Sequence, residues 1–246
     1  MQAWFISDIH IKTINERSSI KLLRFLHFLK ENSEATHLFL LGDIFDLWVG
    51  DSDVFQTKFQ AIVDALVQLK QKGMQVVYFE GNHDVHVKRF WENKIGIPVH
   101  VEHQIFQLGP HRVRLEHGDY INPDDKTYLK YLKFIRHPHA EKLAHILPGK
   151  LLDEAGNMGS KFSRKKSSVR RDRDQEKLRG LIHAYAEKVS KDSDFDYIIT
   201  GHMHVRDEYK FSVKSQPKIS INLGSWYEEP MALCLTDKGY SWKTLD

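Results

Sequence analysis

The stretch Phe39-Leu40-Leu41-Gly42-Asp43 constrains the fold more than any other. An apolar run that ends in glycine and then a carboxylate reads as a buried parallel strand. Such a strand delivers Asp43 at its C-terminal end, where open α/β sheets place their ligands. Four more polar clusters end similar runs: Asp8-Ile9-His10, Gly81-Asn82-His83-Asp84, His117-Gly118-Asp119 and Gly201-His202-Met203-His204. Together they offer Asp, His and Asn, side chains that hold divalent metals. The expectation is that Asp43 is shared between two metals and that the other clusters complete the cage.

The rest of the chain suits this reading. Ala3 to Ser7, His37 to Leu41 and Gln75 to Phe79 read as strands. Glu16 to Lys30 reads as an amphipathic helix carrying Ile20, Leu23, Leu26 and Phe28. Phe55, Phe59, Ile62, Leu66 and Leu69 form a helical stripe, which Gly73 ends. Strand, helix, strand, helix, strand predicts right-handed crossovers and a parallel sheet. Val99 to Leu108 and His111 to Leu115 read as further strands, and Asn122-Pro123 as the cap of a helix through Ile135. Ala140 to Leu147 and Leu178 to Val189 look helical. Asp196 to Thr200 resumes the strand pattern, followed by Glu208 to Val213, Lys218 to Asn222, Met231 to Leu235 and Tyr240 to Trp242.

At 246 residues the chain is long enough for one α/β domain spanning 1–246, with residues 125–191 as a helical insert. The only cysteine, Cys234, excludes an intrachain disulfide and sits among Met231, Leu233 and Leu235, as a buried strand residue would. No apolar run reaches the length of a membrane span. The first residues lack the charged and apolar regions of a signal peptide. The expected location is therefore the cytoplasm.

Each cluster has a bland alternative. Asp8 and His10 alternate along an extended chain and so face the same way, but a surface pair would look alike. Gly81-Asn82-His83-Asp84 is also good turn chemistry. As chemistry, Asn82 offers a neutral oxygen ligand, His83 a proton, and Asp84 a carboxylate to orient the His83 imidazole. His117, His202 and His204 add three imidazoles. Five clusters at successive strand ends outweigh the turn reading. The nitrogen and oxygen donors lack thiolate, which fits Mn²⁺, Fe²⁺ or Zn²⁺ rather than a cysteine zinc site. Two such ions clamp the oxygens of an in-line displacement at phosphorus.

Lys161 to Arg179 holds nine basic residues against Asp172, Asp174 and Glu176. Such a stretch attracts phosphates and anionic membrane surfaces. Leu143, Ile146, Leu147, Leu151 and Leu152 suit helices that pack on the core or rest in a membrane interface. Nucleic acid is a weaker candidate, because Phe162 is the sole aromatic in the basic stretch.

In this order, the five clusters resemble the calcineurin-like metallophosphoesterase superfamily, over nearly the whole chain. The resemblance implies an α+β or α/β fold in which a β-sandwich is flanked by helices, with a helical lid insert and a dinuclear centre. It implies one metal on Asp8, His10, Asp43 and His204, and a second on Asp43, Asn82, His117 and His202. His83 would be the proton donor, with Asp84 beside it, and Mn²⁺ the expected ion. Within the superfamily, three features look like the UDP-2,3-diacylglucosamine pyrophosphatases of lipid A synthesis. These are Ser7-Asp8-Ile9-His10 near residue one, Leu41-Gly42-Asp43-Ile44-Phe45-Asp46-Leu47-Trp48-Val49-Gly50-Asp51, and His117-Gly118-Asp119 followed by Asp124-Asp125 and Tyr128. The lipid nucleotide is then the expected substrate, and the inner membrane surface a peripheral partner. Asn82, His83, Asp125, Ser160, Ser163, Lys166 and His202 are the implied substrate contacts. One position departs: that family carries arginine where this chain has His83. The alternatives are a metallophosphoesterase for another phosphodiester or nucleotide pyrophosphate, and a membrane- or nucleic-acid-binding protein with structural metals.

Overall fold

The computed structural model describes residues 1–146, 175–227 and 229–245. Ser160, Ser163, Lys166, Leu147, Leu151, Leu152 and the basic residues from Lys161 to Arg173 lie outside the described residues, as do the side chains of Leu143 and Ile146. The first half runs β1 (Gln2–Ile6), α1 (Arg17–Glu31), β2 (Ala35–Leu41), β3 (Trp48–Val49), α2 (Asp53–Lys58), α3 (Gln60–Gln71), β4 (Gln75–Phe79) and β5 (Asp84–Val85). A π-helical turn (Arg89–Lys94) leads to β6 (Val99–His100), β7 (Gln104–Leu108) and β8 (His111–Leu115). Among the described residues, α4 (Lys126–Ile135), α5 (Pro138–Ile146) and α6 (Gln175–Val189) follow. The chain closes with β9 (Tyr197–Thr200), β10 (Arg206–Val213), β11 (Gln216–Leu223), β12 (Met231–Thr236) and β13 (Gly239–Thr244).

Alternation along the strands builds two layers of core. In β1, Ala3 and Phe5 face a second sheet while Trp4 and Ile6 face the helices; Phe39 and Leu41 against Leu38 and Leu40, and Val77 and Phe79 against Val76 and Tyr78, repeat the pattern. Strands apolar on both faces belong in the middle of a layered fold. The first sheet has the order β13-β12-β1-β2-β4-β6 and the second β10-β11-β9-β8-β7, with β3 and β5 as a separate pair. Between the sheets, Phe5 stacks on Phe39 with ring centroids 5.0 Å apart, and Phe106 closes on Phe39 from the second sheet, also at 5.0 Å. Helices α1 and α3 cover the outer face of the first sheet through Leu22, Phe25, Leu26, Ile62 and Leu66. Ala186 of α6 packs on the outer face of the second, against Phe195 and Ile198. The result is the sandwich flanked by helices that the resemblance implies.

Four details differ from expectation. The parallel strands β1, β2, β4 and β6 share their sheet with antiparallel β12 and β13, and buried Cys234 sits in β12. The apolar stretch from Val99 to Leu108 is two strands rather than one: β6 pairs with β4 in the first sheet and β7 with β8 in the second, so the chain crosses the sandwich here. The stripe from Phe55 to Leu69 breaks into α2 and α3 at Phe59, whose φ of −117° is not helical, yet all five stripe residues stay buried. Helix α4 starts at Lys126 rather than after Asn122-Pro123. Asp125 is its N-cap, with Oδ1 accepting from Tyr128 N at 3.0 Å, while Asn122 Oδ1 accepts from Asp124 N in a local turn.

Phe39→Ala removes a ring with no exposed surface from between the sheets. The expected loss is about 3–5 kcal/mol of unfolding free energy, measured by urea denaturation. A loss below about 1 kcal/mol would mean that the two sheets do not share this core.

Candidate metal centre

Both sheets deliver their loops to one place. Asp8 and His10 follow β1, Asp43 follows β2, and Asn82 and His83 follow β4, all parallel strands of the first sheet. His117 follows β8 and His202 and His204 follow β9, parallel neighbours in the second. The loops bend sharply as they leave the strands. Asp8 (φ 51°), His10 (54°), Asp43 (54°), His202 (68°) and His204 (58°) all adopt the left-handed backbone region. Asp and His enter that region more readily than most residues, but each instance costs about 1–3 kcal/mol and survives only where its surroundings over-determine it.

Here the surroundings are hydrogen bonds between the loops. Asp8 N donates to Gly42 O at 3.1 Å, and Ile9 N and His10 N to Asp43 O at 2.9 and 3.0 Å. Gly201 N donates to His117 O at 2.8 Å. Glycine is required where the loops touch. A Cβ on Gly42, which has φ +80°, would lie 2.5 Å from His117 Nδ1, and one on Gly81 would collide with the Asp43 carboxylate.

Two carboxylates divide their oxygens between backbone and centre. Asp43 Oδ1 accepts from Asn82 N and His83 N, both at 2.9 Å, while Oδ2 lies 3.8 Å from His10 Nε2 and 3.6 Å from His117 Nε2. Asp8 Oδ2 accepts from His202 N at 2.9 Å, while Oδ1 lies 3.2 Å from His204 Nε2. Asp8, His10, Asp43 and His204 thus bring one ligand atom each within 4.8 Å of one another. His117, Asp119 and His202 form a second such group, and His10, Asp46 and His83 a third. Asn82 joins the second group indirectly, its Oδ1 lying 3.2 Å from the Tyr128 hydroxyl.

The donors fit divalent cations. His117 donates through Nδ1 to Leu41 O at 2.8 Å, which leaves Nε2 as the lone-pair nitrogen, buried and without a hydrogen-bond partner among the described residues. Burial works against a charged His117, yet Asp43, Asp119 and Asp8 outweigh it and push the group up to about 9. The pocket thus calls for positive charge at Nε2, which a metal supplies in place of a proton. Burial pushes His202 down to about 4, leaving it neutral and free to ligate.

Asp84 has a different place from the expected one. His83 Nδ1 donates to Asp46 O at 2.8 Å, so Asp84 does not orient that ring by a hydrogen bond. Asp84 Oδ1 instead accepts from Asp43 N at 3.0 Å and Gly81 N at 2.8 Å, and Oδ2 from Ile44 N at 2.9 Å and Tyr78 OH at 2.6 Å. Four donors converge on two oxygens, a demand that only an acceptor-only group meets. Asp125 is engaged as the cap of α4. Sequence reasoning missed Asp119, Arg136 and Tyr227. Tyr227 stacks on His10 at 5.4 Å with an interplanar angle of 8°. Asp119 was visible beside His117; Arg136 and Tyr227 carried no local signal.

Asp84→Asn sets an amide N–H₂ against backbone N–H groups. It is expected to cost about 3 kcal/mol or more by thermal or urea unfolding, whereas Tyr78→Phe costs about 1 kcal/mol. Unchanged stability in Asp84→Asn, with only a slower reaction, would move Asp84 from scaffold to chemistry.

The comparisons with known proteins agree with this geometry. The calcineurin-like phosphoesterase family model matches residues 1–206. UDP-2,3-diacylglucosamine hydrolase of Stutzerimonas stutzeri is 30% identical over 241 residues, covering 96% of this chain and 95% of the relative. The hydrolase of the same name from Proteus mirabilis is 27% identical over 229 residues, covering 92% and 91%. Among solved structures, a novel archaeal phosphodiesterase covers both chains fully with a TM-score of 0.52 at 12% identity, a likeness of fold alone. With its family model spanning most of the length and its donor clusters in place, the chain belongs to the calcineurin-like phosphoesterases and is a metal-dependent phosphoric ester hydrolase.

Proposed function

We propose that the chain hydrolyses the pyrophosphate of UDP-2,3-diacylglucosamine to UMP and 2,3-diacylglucosamine 1-phosphate at a centre of two divalent ions. The two-ion reading is carried by Asp43 Oδ2, which lies within 4 Å of a histidine nitrogen from each half of the centre. The substrate is supported by the relatives, which bear that lipid nucleotide in their names and match nearly the whole chain. On this reading Asp8, His10, Asp43 and His204 hold one ion, and Asp43, Asn82, His117 and His202 the other. The donor set suits Mn²⁺, with Fe²⁺ or Zn²⁺ as alternatives. When bound, such ions polarise phosphoryl oxygens and lower the pKa of water.

The remaining roles belong to the chain. The hydrogen bond from His83 Nδ1 to Asp46 O fixes the imidazole and leaves Nε2 to give a proton to the leaving phosphate. Burial disfavours the charged ring, but Asp43, the Asp46 carbonyl, and the Asp46 and Asp84 carboxylates together raise its pKa above the usual range. A raised pKa keeps the acid form populated near neutral pH. Asn82, His83, Asp125, His202 and, in the insert, Ser160, Ser163 and Lys166 are the proposed substrate contacts. Helix α4 exposes Tyr131 and Phe134, the latter by 70%, apolar surface that suits acyl chains or the inner membrane face. No described helix is long and apolar enough to cross a membrane.

The test is release of UMP from UDP-2,3-diacylglucosamine with added Mn²⁺. Wild type is expected to turn over, and Asp43→Asn to lose activity together with bound metal. Turnover of a generic phosphodiester but not of the lipid nucleotide would keep the centre and assign another phosphodiester or pyrophosphate as substrate. In His83→Ala, kcat is expected to fall about 10²–10⁴-fold with metal content unchanged. A normal kcat there, measured with the same metal loading, would remove His83 from the reaction.

A further inference from the structure

The helix that leads away from the second sheet reaches back into the centre. Tyr128 lies in the first turn of α4, and Arg136 is the residue just past its end. They are eight positions apart, about two turns of helix. Both hold the same buried carboxylate. The Tyr128 hydroxyl donates to Asp119 Oδ1, and Arg136 Nη2 donates to Asp119 Oδ2 at 2.7 Å. Asp119 is 5% exposed, and its Oδ1 lies 3.9 Å from both His117 Nε2 and His202 Nδ1.

That distance is beyond hydrogen-bond reach. Asp119 therefore does not pin either ring by a bond. It sets the potential in which two imidazole nitrogens meet a cation, and a carboxylate free to swing would set a different one. Tyr128 also contacts the other members of this half, with its hydroxyl 3.2 Å from Asn82 Oδ1 and its ring 4.9 Å from the His202 ring. Arg136 Nη2 reaches the Glu80 carbonyl at 3.5 Å, just ahead of Gly81-Asn82, and His86 Nε2 bonds the Ile135 carbonyl at 2.6 Å. The end of α4 is thus moored to the loop that carries Asn82.

We propose that Tyr128 and Arg136 are positioning residues for the Asn82–His117–His202 half of the centre, acting through Asp119, so that docking of α4 and loading of the second ion form one coupled equilibrium. The inference rests on the two-ion reading and adds a partner to it: the insert's first helix is part of the centre and not only a cover over it. Coupling of this kind is reciprocal. An ion that favours docked α4 is in turn bound more tightly when α4 is docked.

Two measurements test it. Amide hydrogen exchange of the wild-type chain, with and without Mn²⁺, is expected to slow across residues 126–136 on metal addition while residues 231–244 stay unchanged. Mn²⁺ titration of Arg136→Met is expected to show one of the two sites weakened about 10–100-fold, as loss of an outer partner of a metal site typically does, with the other site unaltered. Arg136→Lys restores part of the loss, and Tyr128→Phe gives a smaller one. Arg136→Met that keeps both affinities while melting earlier would show a merely structural contact and overturn the proposal. Wild type that binds two Mn²⁺ with unchanged exchange in 126–136 would overturn it equally, even where Arg136→Met fails to fold. Wild type that binds no Mn²⁺ would overturn the two-ion reading itself, and the coupling with it.

Discussion

The structure depends on the way Asp43 is held. One of its oxygens closes on the backbone of the neighbouring loop, at Asn82 N and His83 N, and the other is left between His10 and His117. The first contact secures the loop after β4 to the loop after β2. The second joins donors from two different sheets. A carboxylate bonded on one oxygen cannot rotate to satisfy the other, so its free lone pairs stay aimed at the centre. Asp84 spends both oxygens on the scaffold instead, holding the Asp43, Ile44 and Gly81 amides in one grip. The centre is therefore assembled from backbone hydrogen bonds before any ligand atom is counted.

This arrangement also explains where the conformational cost falls. Five residues of the centre sit in the left-handed region, and most of the facing carboxylates are buried. Like charges packed this closely repel, and burial adds to the penalty. The two apolar layers, one inside the sandwich and one under α1 and α3, offset that cost. A bound cation offsets it directly, so holding metal and remaining folded draw on the same interactions.

Much of the fold and of the centre was legible in the sequence because both rest on local pattern. Strand ends were marked by apolar runs meeting Gly, Asp, His or Asn, and β2 and β4 fell almost where that pattern set them. What escaped depends on tertiary geometry. Nothing local separates β6 from β7, because an apolar stretch that crosses between sheets looks like one that stays in its sheet. The break at Phe59 leaves the apolar spacing intact, so periodicity alone cannot register it. Asp84 reads in sequence as a partner for its neighbour, yet its four donors come from residues 43, 44, 78 and 81, a convergence seen only in space. Arg136 escaped for the same reason: its partner lies across a helix and a turn.

The placement of β1 carries a consequence for how the chain is made. β1 is an interior strand, paired on one side with β2 and on the other with β12. Its loop is also tied late, since the Asp8 carbonyl accepts from Trp226 N at 3.2 Å. During synthesis, β2 emerges soon after β1, but β12 emerges only after β2 to β11. Until then β1 presents an open edge on a strand apolar on both faces, the kind of surface on which unfinished chains associate. β1 thus precedes the other strands of its sheet, yet completes its pairing only with β12. A nascent chain stalled before Met231 would carry every proposed metal donor while its first sheet still lacks β12.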